Sequence, residues 1–132
     1  MDYKKLVKQA QAARKRSHSP YSRFRVGAAL LTRKGKVYSG CNIEVSSFGL
    51  TICAERTAIF KAVSEGERAF TAIAIATDED KFTTPCGACR QVMMDLAGDI
   101  DIVMSTKTGN TMVMKLSELI PFPFGPKNLL KD

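Results

Sequence analysis

Phe70-Thr71-Ala72-Ile73-Ala74-Ile75-Ala76-Thr77 is the stretch whose reading decides the fold. It is a continuous apolar run of strand length. A strand with one wet face would alternate polar and apolar residues, so this run reads as a strand buried on both sides. Its neighbours in sequence are helical. Ile52 to about Glu65 predicts a helix that stops at Gly66, and Cys86 to about Leu96 predicts another that ends before Gly98. Ile100 to Ser105 then reads as a strand. Thr108-Gly109-Asn110 turns it into Thr111 to Lys115, and so short a turn implies antiparallel pairing.

On the N-terminal side, Tyr3, Leu6, Val7, Ala10 and Ala13 recur at helical spacing and predict an amphipathic helix over residues 2–16. Ser17 to Pro20 break it. Phe24 to Thr32 and Lys36 to Ile43 predict two strands around an Arg33-Lys34-Gly35 hairpin turn. A short helix near Ser117 to Leu119 precedes a proline-rich tail. No internal repeat, low-complexity segment or interdomain linker interrupts the series. The expected fold class is α/β: a three-layer α/β/α arrangement with a five-stranded mixed sheet, in one domain spanning residues 1–132.

Composition sets outer bounds. No apolar run approaches the roughly 20 residues of a membrane span. The chain opens Met-Asp-Tyr-Lys-Lys, with no apolar leader, and its cysteines are expected as thiols in a reducing cytoplasm. Formal net charge is +7. The excess lies early, where Lys4, Lys5, Lys8, Arg14, Lys15 and Arg16 precede Arg23, Arg25, Arg33, Lys34 and Lys36 against Asp2 alone. A basic face attracts nucleic acid. The stretch lacks interleaved aromatics that would form a stacking platform, so a solvated helix face and a charged turn are the favoured reading, with no nucleic-acid partner expected.

Two motifs carry chemistry: Cys53-Ala54-Glu55 and Pro85-Cys86-Gly87-Ala88-Cys89. Cys86 and Cys89 share one face of a helical turn, so both sulfurs reach one ion. Pro85 suits a helix start. A helix N-terminus favours thiolate over thiol. Three thiolates would leave a Zn²⁺ site at net −1, and Arg56, three residues after Cys53, is placed to compensate. Three ligands and a free carboxylate suggest a catalytic metal, because structural zinc fills all four positions. Other readings stand beside this one. They are a redox dithiol at Cys86 and Cys89, a closed four-cysteine zinc with Cys41, and a disulfide framework.

These residues resemble the zinc nucleoside deaminases, in the variant with three cysteine ligands: the small homotetrameric cytidine deaminases. The resemblance runs through nearly the whole chain. It includes Pro20-Tyr21-Ser22, Phe24, Val26-Gly27-Ala28-Ala29-Leu30, Gly40-Cys41-Asn42-Ile43-Glu44, Cys53 to Ala58, Pro85 to Gln91, and Phe124-Gly125-Pro126-Lys127. It implies one Zn²⁺ per chain on Cys53, Cys86 and Cys89, with water as fourth ligand. It further implies hydrolytic deamination of cytidine or deoxycytidine as a step of pyrimidine salvage, with Glu55 moving protons between the attacking water, ring N3 and the leaving ammonia. Asn42 and Glu44 match positions that hold the ribose 3′-hydroxyl. Phe24 matches a ring that packs near the base, Ala54 is a further substrate-binding position, and Phe124 matches an aromatic that a neighbouring subunit stacks on the base. The partner implied is therefore the chain itself, as a homotetramer with shared sites.

The chain departs from that pattern at Phe48, where the family often has Tyr, and across Val45 to Thr51. The change removes a hydroxyl near the sugar. His18 reads as a solvated loop residue, and Met93, Met94, Met104, Met112 and Met114 mostly as core or interface filler. Two other function classes remain: deamination of a base within a polynucleotide, and a zinc-stabilised binding module without activity.

Overall fold

A computed structural model of the chain describes residues 2–130. Its elements run α1 (Lys4–Arg14), β1 (Val26–Thr32), β2 (Val37–Cys41), α2 (Ala54–Ser64), β3 (Phe70–Thr77), α3 (Gly87–Ala97), β4 (Asp101–Ser105), β5 (Thr111–Lys115), α4 (Leu116–Leu119) and α5 (Pro126–Leu129). A single 3₁₀ turn covers Phe48–Leu50. The strands form one sheet in the order β2-β1-β3-β4-β5. Among the strands of the described residues only β3 and β4 pair parallel, joined by the α3 crossover, and the other three pairings are antiparallel. The expected five-stranded mixed sheet is the one observed. β3 and β5 have the expected limits, whereas α1 is shorter than residues 2–16.

The central strand explains the layers. Its side chains alternate between faces. Ile73 and Ile75 point into the core beneath α2 and α3, with Leu30, Ile59, Met93, Ile102 and Met104. Ala72, Ala74 and Ala76 point the other way, with Ala29 and Val103, under Leu6, Val7 and Ala10 of α1. One face is thus filled by large side chains and the other by small ones, so α1 lies very close to the sheet. At Gly27 the approach is limiting: a Cβ there would stand 2.0 Å from the Ala10 carbonyl oxygen and 2.3 Å from the Arg14 nitrogen.

Gly40 does the same on the opposite face. A Cβ on it would meet the Ala58 nitrogen at 2.6 Å and the Ala54 carbonyl oxygen at 2.7 Å. The missing side chain lets the first turn of α2 press onto β2, and that turn carries Cys53 and Glu55 into place. Of the early basic residues, Arg14 and Arg25 are both paired with Asp78, at 3.2 and 2.8 Å. Met93 and Met104 are buried, while Met112 is 41% exposed on the edge strand. Among the described residues no helix is long and apolar enough to cross a membrane.

Candidate active site

Cys53 and Cys86 occupy equivalent places. Each is the extended residue immediately before a helix, with φ −74° and ψ 156° before α2 and φ −64° and ψ 165° before α3. Both helices follow segments that leave the same edge of the core, so their N-termini converge. Cys89 lies in the first turn of α3 and is fully buried. Cys53 Sγ is 3.8 Å from Cys86 Sγ, and Cys86 Sγ is 3.3 Å from Cys89 Sγ. All three sulfurs lie within 4.8 Å of one another.

Tetrahedral zinc with bonds of ~2.3 Å holds its sulfurs ~3.8 Å apart. The donor set therefore fits Zn²⁺ in both softness and spacing, and leaves one position for water. Cys41 does not belong to the group: it lies on β2 opposite Gly27. That arrangement disfavours the closed four-cysteine reading. All four cysteines are free thiols, which disfavours a disulfide framework.

The electrostatics of the three-thiol cradle are uneven. Hydrogen bonding from the neighbouring Cys89 thiol holds the Cys53 thiol down, to about 5, with Arg56 and Cys86 adding to the effect against burial. The thiolate character of Cys53, together with burial, pushes Cys89 well above the ordinary thiol range. Arg56 Nη2 stands 3.5 Å from Cys53 Sγ, where its charge offsets the thiolate. Glu55 is 5% exposed. Burial pushes its carboxyl up to about 7, and the Cys53 charge raises it further against the pull of backbone N–H and Arg56. A carboxyl poised there accepts and returns protons near neutral pH.

Asn42 and Glu44 lie just past the end of β2 and both turn toward the loop between α1 and β1. The Asn42 amide donates to the Phe24 carbonyl at 2.7 Å and accepts from the Val26 nitrogen at 3.0 Å. Glu44 Oε1 accepts from the Tyr21 and Ser22 nitrogens at 3.0 and 3.1 Å, and Oε2 from the Ser22 hydroxyl. That hydroxyl, with the two N–H groups, holds the Glu44 carboxyl below its usual range despite partial desolvation. Beside Glu44 opens a cavity of about 330 Å³, lined by Tyr21, Ser22, Glu44, Phe48 and Thr51. The Phe48 ring meets Tyr21 edge-on at 5.4 Å.

The remaining expected residues are placed less directly. Phe24 is half-buried and packs against the α2/α3 core. Ala54 is fully buried, with its carbonyl against Gly40. Phe124 is 58% exposed, and its carbonyl accepts from Gln91 of α3 at 2.7 Å. His18 is exposed, as expected. Ser17, Ser22 and Gln91 are the contributors that sequence reasoning left without a role. Ser22 and Gln91 stood inside quoted motifs, which was the only available signal.

A family model described as the cytidine and deoxycytidylate deaminase zinc-binding region matches residues 1–106. The chain is 48% identical to a cytidine deaminase of Halalkalibacterium halodurans over 130 residues, covering 98% of both chains. It is 46% identical to a probable cytidine deaminase of Dictyostelium discoideum, covering 98% of this chain and 88% of that one. Among solved structures it resembles a cytidine deaminase from Burkholderia pseudomallei, with a TM-score of 0.90 at 44% identity. That likeness covers 94% of this chain and 100% of the other.

Proposed function

The chain belongs to the cytidine and deoxycytidylate deaminase family, defined by its zinc-binding region, and from that premise we propose that it converts cytidine and 2′-deoxycytidine to the uracil nucleosides with release of ammonia. The observation that carries this reading is the convergence of three thiols at two helix starts beside a buried carboxyl.

Bound zinc supplies the Lewis acidity that lets water ionise near neutral pH. The chain's residues do the rest. Cys53, Cys86 and Cys89 hold the ion, and Arg56 offsets their negative charge. Glu55 takes the two protons of the attacking water in turn, passing the first to N3 of the cytosine ring and the second to the departing amine. The balance is one water consumed and one ammonia released per nucleoside. Asn42 and Glu44 grip the ribose 3′-hydroxyl. Phe24 packs beside the base, and Ala54 forms the floor between the metal and the proton carrier.

The active unit in this reading is a cytoplasmic homotetramer that serves pyrimidine salvage. Apolar side chains that a lone chain leaves in water support assembly: Phe48, Leu50, Phe122 and Phe124 are 67%, 72%, 103% and 58% exposed. A neighbour's Phe124 then closes the base pocket. The direct experiment is ammonia release from cytidine by zinc-loaded protein. A protein that binds one zinc per chain and releases no ammonia overturns the reading in favour of a binding module.

A further inference from the structure

We infer that Ser17 is a positioning residue for the nucleoside sugar: its hydroxyl occupies the second lone pair of the Asn42 amide oxygen, so that Asn42 meets the substrate only as a donor. The inference rests on the proposal that Asn42 and Glu44 hold a sugar hydroxyl.

Asn42 is 8% exposed, and its side-chain bonds all go to the loop after α1 and the start of β1. A carboxamide has two lone pairs on oxygen and two N–H groups. The Val26 N–H, at 3.0 Å, takes one lone pair, and the Ser17 hydroxyl takes the other. The Phe24 carbonyl, at 2.7 Å, takes one N–H. What remains is a single N–H. Ser17 Oγ also has Ser19 Oγ at 3.1 Å and the Asn42 carbonyl oxygen at 3.4 Å. Its one proton goes to the nearer amide oxygen, which leaves Ser19 to donate into Ser17.

Glu44 is the counterpart. As a carboxylate it only accepts, and three donors on residues 21 and 22 fix its plane. The pair therefore offers one donor and one acceptor from alternate residues of one extended segment. A hydroxyl satisfies both at once, and a C–H in its place satisfies neither. Without Ser17 the amide oxygen regains a free lone pair. Asn42 then competes with Glu44 for the substrate's proton or takes up water, and the polarity of the pair is no longer unique.

The loop does not depend on this hydroxyl for its course. His18 N donates to the Asn42 carbonyl at 3.1 Å, and Glu44 N donates to the His18 carbonyl at 2.7 Å. Removing the Ser17 hydroxyl leaves both tethers in place.

The test compares cytidine with 3′-deoxycytidine as substrates for zinc-loaded wild type, Ser17→Ala, Ser17→Thr and Ser17→Val. Ser17→Ala should raise KM for cytidine about 3- to 10-fold, the size expected for one neutral hydrogen bond, with kcat within about twofold. KM for 3′-deoxycytidine should not change. The Thr and Val variants share a shape and differ by the hydroxyl, so Thr should follow wild type and Val should follow Ala. An equal rise for both nucleosides, or Thr and Val behaving alike, overturns the role of Ser17 while the sugar reading stands. Wild type that handles both nucleosides equally well overturns the sugar reading and the inference with it.

Discussion

The three thiols and Glu55 stand at the starts of two packed helices, whereas Asn42 and Glu44 stand beyond the end of a strand and are held by an irregular loop. The first group owes its geometry to α2 and α3, whose fully buried Ile59 and Met93 each contribute about 1.5–3 kcal/mol of packing. The second owes its geometry to individual hydrogen bonds from Ser17, Tyr21, Ser22 and Val26, each worth about 0.5–1.5 kcal/mol, or somewhat more to the charged Glu44. In the proposed function, chemistry is thus mounted on packed helix starts and sugar recognition on a loop held by hydrogen bonds. Changes in the first should abolish function outright, and changes in the second should grade it.

The largest effect should come from the metal cradle. Cys86→Ala should lose zinc and activity together, because two thiols on rigid helix starts cannot complete the coordination. Cys41→Ser should keep the metal, since Cys41 lies outside the group. Metal analysis of the two variants checks both; loss of zinc from Cys41→Ser would restore the four-cysteine reading.

Next in size is Glu55→Gln. It keeps the shape and removes the proton carrier, so kcat should fall at least 10²–10⁴-fold with zinc still bound. Near-normal turnover in a zinc-loaded variant would remove Glu55 from the mechanism.

The same carboxyl should leave a mark on stability in metal-stripped protein. Its folded pKa, about 7, lies above the ordinary 4.5, so the neutral form is favoured in the fold. The contribution is fully present below pH 4.5 and is lost as pH rises toward 7. The whole displacement is worth about 3 kcal/mol. Urea midpoints of stripped wild type should therefore fall against stripped Glu55→Gln across that window. Parallel curves would show that Glu55 ionises freely in the fold.

The smallest of these effects belongs to the loop-held pair. Glu44→Gln replaces a charged acceptor, and kcat/KM for cytidine should fall about 10- to 100-fold, the range for a hydrogen bond to a charged group. The loss should appear in KM more than in kcat, because the contact is remote from the reacting carbon. An equal loss of kcat alone would place Glu44 in the chemistry and erase the distinction between the two regions.

Much of the fold was legible because its signals are local. Gly66 and Gly98 end helices, the Thr108-Gly109-Asn110 turn fixes an antiparallel pair, and Cys86 and Cys89 face one way by helical spacing alone. The 3₁₀ turn at Phe48–Leu50 and α5 at Pro126–Leu129 were not expected, since neither is long enough to show a period. β1 begins at Val26 and β2 ends at Cys41, inside the expected Phe24 and Ile43. There the Asn42 side chain, rather than a partner strand, takes the Phe24 carbonyl and the Val26 nitrogen.

By itself the sequence determined which of the longer segments are helix and strand, that β3 is buried, and that two cysteine motifs suit one metal, because period and spacing act over a few residues. Only the tertiary structure decided which face of β3 meets which helix: alanine and isoleucine are both apolar, so the alternation that seats α1 close and α2 and α3 further out is silent until the layers pack. It also decided that Cys53 and Cys86, 33 residues apart, start their helices side by side. And it decided which of Asn42's four hydrogen-bonding positions is left for a ligand, since the loop partners that take the others, Ser17, Phe24 and Val26, lie 16 to 25 residues away. Contacts of that range are set by the packing of β1 between β2 and β3, which no local pattern encodes.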